Sequence, residues 1–323
     1  MSHSVTAIMT CHNERAFIEQ AVLSVAEQTA ADRIVEIIVV NDRSTDGSQA
    51  VLDALCARLP KLRILQGEGR GVSAARNLAL AETKGDLIAI LDGDDYWTPD
   101  KLASQLPAFA DPRVGIVYGD WYDVDMQAGT TRLVTARRFT ADSEDTLARY
   151  FVDDAPIIPS TAIVRRAVFD DVGLFDVEIR WGEDTDFCLR TAERWRFQHV
   201  PGGLLYKRAH GGNLTSNLER LLPVQEMLTR RFAERNPELG RFRRQRMGRR
   251  YAVVGNNCAM RGEIAKASRY FAAALRSDPF QARTWAYVGL ATIPTGLSKR
   301  VRSAIKHVVH RRARAPGEGH AAK

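Results

Sequence analysis

Residues 91–97 read Leu91-Asp92-Gly93-Asp94-Asp95-Tyr96-Trp97. Three carboxylates within four residues repel one another unless a cation sits among them, and a hard divalent ion with oxygen ligands is the natural partner. Gly93 allows the close backbone approach that packing carboxylates around one ion requires. The competing reading is a solvated acidic turn that caps a helix starting near Pro99, but the turn directly follows the apolar run Leu87–Leu91. A second acidic group, Glu183-Asp184, follows Trp181-Gly182 where a helix pattern over Thr185–Glu193 begins. A carboxylate there is ionised at neutral pH and suits deprotonation of a hydroxyl. Acids also favour helix N-termini, so capping alone is the alternative. Trp181 is suited to stacking on a ligand ring or to ordinary packing.

The elements that must position these groups alternate. Val5–Met9 reads as a buried strand and Phe17–Gln28 as a helix with Ile18, Ala21, Val22 and Val25 on one face. Glu36–Val40 is a strand followed by the polar turn Asn41–Ser48, and Gln49–Arg58 is a helix. Arg63–Gln66 is a short strand, Val72–Glu82 a helix, and Leu87–Leu91 a fourth strand. Such alternation implies crossover units and a largely parallel sheet covered on both faces. Ligands gather at the carboxyl ends of strands in such sheets. Thr10–Asn13, Asn41–Asp46 and Asp92–Asp95 all follow strands there, so they form one site.

Further along, Val114–Tyr118 and Ala162–Val164 read as strands, and Ala128–Asp154 as a polar, poorly periodic loop region. After Asn217 helix formers and arginine dominate. Tyr251–Met260 and Ile264–Arg276 read as an antiparallel helix pair turned at Arg261-Gly262-Glu263, with a third helix over Gln281–Leu290 after the break at Ser277-Asp278-Pro279. Ala267, Phe271, Ala274 and Pro279 resemble one tetratricopeptide-type unit, taken here as a capping appendage.

Five motifs in order carry a resemblance. They are Val5–Asn13, Glu36–Gly47, Gly71-Val-Ser-Ala-Ala-Arg-Asn77, Asp92–Asp95 and Gly182-Glu-Asp-Thr-Asp186. The set resembles the family 2 glycosyltransferases, inverting enzymes with the GT-A nucleotide-sugar fold, over roughly residues 4–217. The resemblance implies an α/β fold, Rossmann-like and nucleotide-sugar-binding, with a mixed, mostly parallel sheet flanked by helices. It implies that Thr10, His12 and Glu14 line the nucleoside pocket, although Thr10 and His12 stand where many relatives carry proline and an aromatic residue. Asp42 is expected to accept a hydrogen bond from a uracil-type base, Arg76 to reach the nucleotide, and Asp92 to bind ribose. Asp94 would ligate Mg²⁺ or Mn²⁺ bridging the diphosphate, with Asp95 adjacent. Asp184 matches the catalytic base, with Glu183 beside it. His210 corresponds to a histidine that completes metal or diphosphate binding in many relatives; a solvated role is the alternative, and Lys207 and Arg208 are equally suited to phosphate oxygens. Arg194-Trp195 is a poor fit to the Q-x-x-R-W element of processive synthases.

Of the 323 residues, 46 are Lys or Arg and 39 Asp or Glu, a net charge of +7. Residues 1–229 hold 24 basic and 34 acidic side chains, whereas residues 230–323 hold 22 basic and 5 acidic. An acidic body therefore precedes a strongly basic end. A helix over Lys299–Arg314 would set Val301, Ile305, Val308 and Val309 opposite a basic face, a form suited to anionic lipid headgroups or to a solvated tail. No recognition module supports nucleic-acid binding. Cys11, Cys56, Cys188 and Cys258 form no C-x-x-C pair, no secretory signal is visible, and no run is long enough to span a membrane. The expected location is cytoplasmic, with peripheral contact at the inner face of the cell membrane. The expected domains are 1–225 catalytic, 226–295 helical and 296–323 a basic amphipathic tail. The expected partners are a nucleotide-sugar donor and a glycan or lipid-linked acceptor. A non-catalytic adaptor that recruits partners or membrane through its basic helical end is the competing function. A nucleotidyltransferase would need a glycine-rich phosphate loop that Thr10–Arg15 lacks.

Overall fold

A computed structural model describes residues 3–140, 146–153, 157–209 and 218–291. The chain divides into two compact units, Met1–Ser216 and Asn217–Lys323.

The first unit starts with β1 (Val5–Cys11), α1 (Ile18–Ala26), β2 (Ile34–Asn41), α2 (Ser48–Cys56), β3 (Leu62–Gln66), α3 (Val72–Ala81) and β4 (Leu87–Asp92). β1, β2 and β4 are almost wholly buried, as β-branched and aliphatic runs covered on both faces must be. α1 buries Ile18, Ala21, Val22 and Val25 at helical spacing against them. β1 pairs parallel with β2 and β4, setting Thr10 opposite both Val40 and Asp92, and Cys11 opposite Asn41. That register brings the three polar strand ends to one edge.

Past β4 the sheet changes character. β5 (Tyr96–Trp97), α4 (Lys101–Gln105), β6 (Val114–Asp125), β7 (Thr130–Val134), α5 (Thr146–Asp153), β8 (Ile163–Arg165), α6 (Arg166–Val172), α7 (Glu183–Ala192) and β9 (Arg196–Ala209) follow. The strand order is β3-β2-β1-β4-β8-β6-β9-β5, with β7 on β6. β8 is antiparallel to both β4 and β6, β9 is parallel to β6, and β5 is antiparallel to β9. The expected parallel sheet therefore holds for β1–β4, and antiparallel pairings are concentrated beyond it.

The segment expected to be a loop, 128–154, instead contains β7 and α5. β7 is an edge strand with almost every residue exposed, so it has no alternation of apolar residues to detect. In α5, Tyr150 and Phe151 are buried, and Tyr150 meets Phe139 and Phe197 from elsewhere in the chain. β9 was not foreseen either, because Pro201-Gly202-Gly203 in its middle has the composition of a turn.

The second unit holds α8 (Leu222–Arg235), α9 (Arg243–Met260), α10 (Ile264–Ser277) and α11 (Ala282–Ala291). α8 runs across the expected boundary at 225/226. α9 and α10 are antiparallel: Gly248 faces Asp278 and Gly255 faces Phe271. Ala267 and Phe271 join Val254, Cys258 and Ala259 in their core. Among the described residues no helix is long and apolar enough to cross a membrane. The segment 296–323 lies outside the described residues.

Candidate active site

One side of the strand edge is built on Asp42. Its carboxylate is buried and accepts the Gly69 N–H at 2.7 Å on Oδ1 and the Gly71 N–H at 3.1 Å on Oδ2. A Cβ on Gly67 would lie 2.4 Å from Asp42 Oδ1, so only glycine lets this loop close over the acid. Each carboxylate oxygen has a second lone pair left for a ligand. His12 Nδ1 donates to the Asp42 carbonyl at 2.6 Å, and the Thr10 carbonyl accepts the Gly93 N–H at 3.0 Å. Thr10, His12, Asp42 and the acidic turn are thus gathered together.

Glu14 sits against that turn. Its Oε2 is buried without a hydrogen-bond partner, and a Cβ on Gly93 would lie 2.0 Å from it. Burial, then Asp94, Asp92 and Asp95, push the Glu14 carboxyl up to about 9. Asp95 is 3% exposed, and burial followed by Asp94 and Asp92 raises it well above the usual carboxylate range. Asp92 accepts from Arg76 Nη2 at 2.7 Å and from the Ser160 hydroxyl at 3.3 Å, while its N–H donates to Ser160 Oγ at 3.1 Å.

Mutually repelling carboxyls and an orphaned buried oxygen call for positive charge, and an all-oxygen donor set suits Mg²⁺ or Mn²⁺. The nearby arginines are engaged with protein groups. Arg208 Nη1 donates to the Asp94 carbonyl at 2.6 Å, and Arg76 bridges two acids.

Arg76 links the turn to the second acidic group. Its side chain is 3% exposed, and Nη1 donates to Glu183 Oε1 at 2.9 Å. Burial opposes its charge, but Asp92 and Glu183 hold its pKa above the ordinary value. The guanidinium also lies over Phe175, 5.4 Å from the ring centroid. Glu183 and Asp184 occupy the first turn of α7, entered through Gly182 at φ +83°. Burial, then Asp184, pushes Glu183 up to about 7 against the pull of Arg76. Asp184 Oδ1 accepts the Thr185 N–H at 2.7 Å, so this acid does help to cap the helix. Asp186 belongs to packing: it pairs with Arg190, which also donates to the Val172 and Leu174 carbonyls.

Expected residues Thr10, His12, Glu14, Asp42, Arg76, Asp92, Asp94, Asp95, Glu183 and Asp184 therefore lie on connected elements, with Glu14 turned to the acidic cluster. His210 lies outside the described residues. Ser160 and Phe175 were missed, and local sequence pattern gives no signal for either. Arg208, weighed from the sequence for phosphate oxygens, instead faces inward onto the acidic turn.

Known proteins share the family and the fold of this chain. Residues 6–173 match the family model described as Glycosyl transferase family 2. The protein named "uncharacterized glycosyltransferase YwdF" from Bacillus subtilis is 30% identical over 65% of this chain and 76% of its own length. The succinoglycan biosynthesis protein ExoU from Rhizobium meliloti is 31% identical over 69% of this chain and 67% of its own. Coverage of other relatives is smaller, 62% for EpsJ of Bacillus subtilis. In fold, the chain is similar to S. aureus TarS 1–349 solved with UDP-GlcNAc (TM-score 0.59, 18% identity, 93% of this chain and 92% of that one). It is also similar to the Pyrobaculum calidifontis mannosyltransferase PcManGT solved with GDP-Man and Mn²⁺ (TM-score 0.61, 20% identity, 90% and 80%). With its curled mixed sheet of GT-A type, its five ordered motifs and a family match over more than half its length, the chain belongs to glycosyl transferase family 2.

Proposed function

We propose that this glycosyltransferase is metal-dependent and inverting. It moves a sugar from a nucleoside-diphosphate sugar, a UDP-sugar on the reading of Asp42, to a hydroxyl of a glycan, lipid-linked or other cell-envelope acceptor. The observation that carries the reading is a single buried guanidinium, Arg76, bonded both to Asp92 of the acidic turn and to Glu183, the neighbour of Asp184. This connects a cation-suited cluster with a candidate base.

In this scheme Asp42 and the strand-end residues Thr10 and His12 orient the nucleoside, and Asp92 takes the ribose. Asp94, with Asp95 and Glu14 adjacent, would hold Mg²⁺ or Mn²⁺. The bound ion supplies Lewis-acid neutralisation of the charge that grows on the leaving diphosphate. The acceptor oxygen attacks the anomeric carbon from the face opposite the diphosphate, and its proton passes to the Asp184 carboxylate. The carbon–oxygen bond to the diphosphate breaks, and configuration inverts. Arg76 keeps Glu183, the neighbour of Asp184, in place in the first turn of α7. The basic C-terminal end, with its excess of arginine, is the surface for peripheral contact with anionic membrane at the cytoplasmic face.

The test is Asp184→Asn. It should lower sugar transfer by about a thousandfold, within the range for loss of a general base, while leaving Mn²⁺-dependent UDP binding intact. Undiminished turnover would remove Asp184 from that role. Mn²⁺-dependent hydrolysis across a panel of nucleotide sugars would identify the donor.

A further inference from the structure

We infer that Arg208 is a positioning residue for the acidic turn, not a phosphate ligand, and that an aromatic stack running back through the sheet holds it there. This rests on reading Asp92–Asp95 as the cation site.

Arg208 lies near the end of β9 and is 5% exposed. Its main-chain N–H donates to Asp95 Oδ1 at 3.0 Å, and Nη1 donates to the Asp94 carbonyl at 2.6 Å. Nη2 donates to Gln20 Oε1 on α1. One residue therefore grips the turn at a carboxylate and at a carbonyl, and ties it to the helix behind it. The guanidinium lies between two rings, 5.0 Å from the Phe17 centroid and 4.4 Å from that of Tyr96. Tyr96 stacks on Tyr206 at 4.7 Å and an interplanar angle of 10°. Tyr206 stacks in turn on Tyr122 at 4.9 Å and 19°.

The order Phe17, Arg208, Tyr96, Tyr206, Tyr122 is a continuous pile drawn from four separate segments of chain. β5 is only two residues long, and its pairing with β9 sets Tyr96 opposite Tyr206 and Trp97 opposite Leu205. So short a strand gains much of its hold from side chains. Gly203 leaves room for the outer ring: a Cβ there would lie 2.2 Å from Tyr122.

A planar guanidinium can stack and donate through two nitrogens at once. An ammonium keeps the charge but loses both the fork and the stacking. With its nitrogens on Asp94 and Gln20 and its faces covered, Arg208 acts on a nucleotide only through the turn. Lys207, half-buried beside it, stays available to phosphate.

The test is calorimetric titration of the full-length protein with UDP, with Mn²⁺ and separately in EDTA. Arg208→Lys should weaken Mn²⁺-dependent UDP binding by about tenfold, the scale seen when a metal ligand loses its support. Metal-free UDP binding should stay at the wild-type value. Equal loss with and without Mn²⁺ would show direct phosphate contact and overturn the inference, as would unchanged Mn²⁺-dependent binding. Tyr122→Leu, at the outer end of the pile, should shift only the Mn²⁺-dependent affinity, by about threefold. It decides the matter if Arg208→Lys does not fold, and no shift there overturns the stack. If wild-type UDP binding is indifferent to Mn²⁺, the cation-site reading itself fails, a result distinct from the others.

Discussion

Replacing Glu14 with glutamine should stabilise the protein, and the size of the effect follows from its surroundings. The Glu14 carboxyl is pushed from its ordinary 4.5 up to about 9 by burial and then by Asp94, Asp92 and Asp95. The folded chain therefore keeps a proton that the unfolded chain releases above pH 4.5. With the folded pKa raised, this stability is fully present below 4.5 and is lost progressively as the pH rises through about 9. At pH 7 the unfolded chain has gained across about 2.5 pH units at about 1.4 kcal/mol each, about 3 kcal/mol in all. Glutamine has the same shape and no proton to lose. Glu14→Gln should equal wild type near the ordinary pKa and exceed it at pH 7 by up to about 3 kcal/mol. The assay is urea unfolding in EDTA between about pH 5 and about pH 8. It would be followed by tryptophan fluorescence, since Trp97, Trp121, Trp181 and Trp195 all report on the first unit. The gap between the proteins should widen by about 1.4 kcal/mol per pH unit. Parallel curves would refute the reasoning, because Glu14 would then ionise as freely in the fold as outside it.

Arg76→Met strands Asp92 and Glu183 without their partner. Breaking a buried pair costs about 3–5 kcal/mol, so the first unit should melt roughly 10 °C lower, and an unchanged melting temperature by calorimetry would contradict the bridging role. Gly67→Ala would put a Cβ 2.4 Å from Asp42 Oδ1, forcing the carboxylate aside. UDP affinity should then fall roughly tenfold to a hundredfold while turnover at saturating donor is retained; unaltered affinity in a titration would remove Asp42 from nucleoside binding.

The first half of the sheet was legible because its physics is local. Val5–Cys11, Ile34–Asn41 and Leu87–Asp92 are apolar runs that bury on both faces, and the polar residues after them can only sit at the strand ends. The helices between them bury faces that the spacing of Ile18, Ala21, Val22 and Val25 already displays. Beyond residue 114 the elements depend on partners. β7 has no pattern of its own, α5 is held by Tyr150 against Phe139 and Phe197, and Pro201-Gly202 bulge within a strand that β6 pairs on either side, at Val200 and Gly203.

The same division applies to the site. Sequence alone determined which acids, glycines and arginines were present for chemistry, because carboxylates packed that closely, in a turn after a buried strand, require positive charge nearby. Only the tertiary structure decided their partners. Arg76 bonds to Asp92 and Glu183 across sequence separations of 16 and 107 residues, Glu14 turns to Gly93, and Arg208 faces inward through the tyrosine pile. The physical reason is that charge and hydrogen-bonding capacity belong to each residue, whereas burial, which sets how strongly those groups interact, belongs to the folded chain.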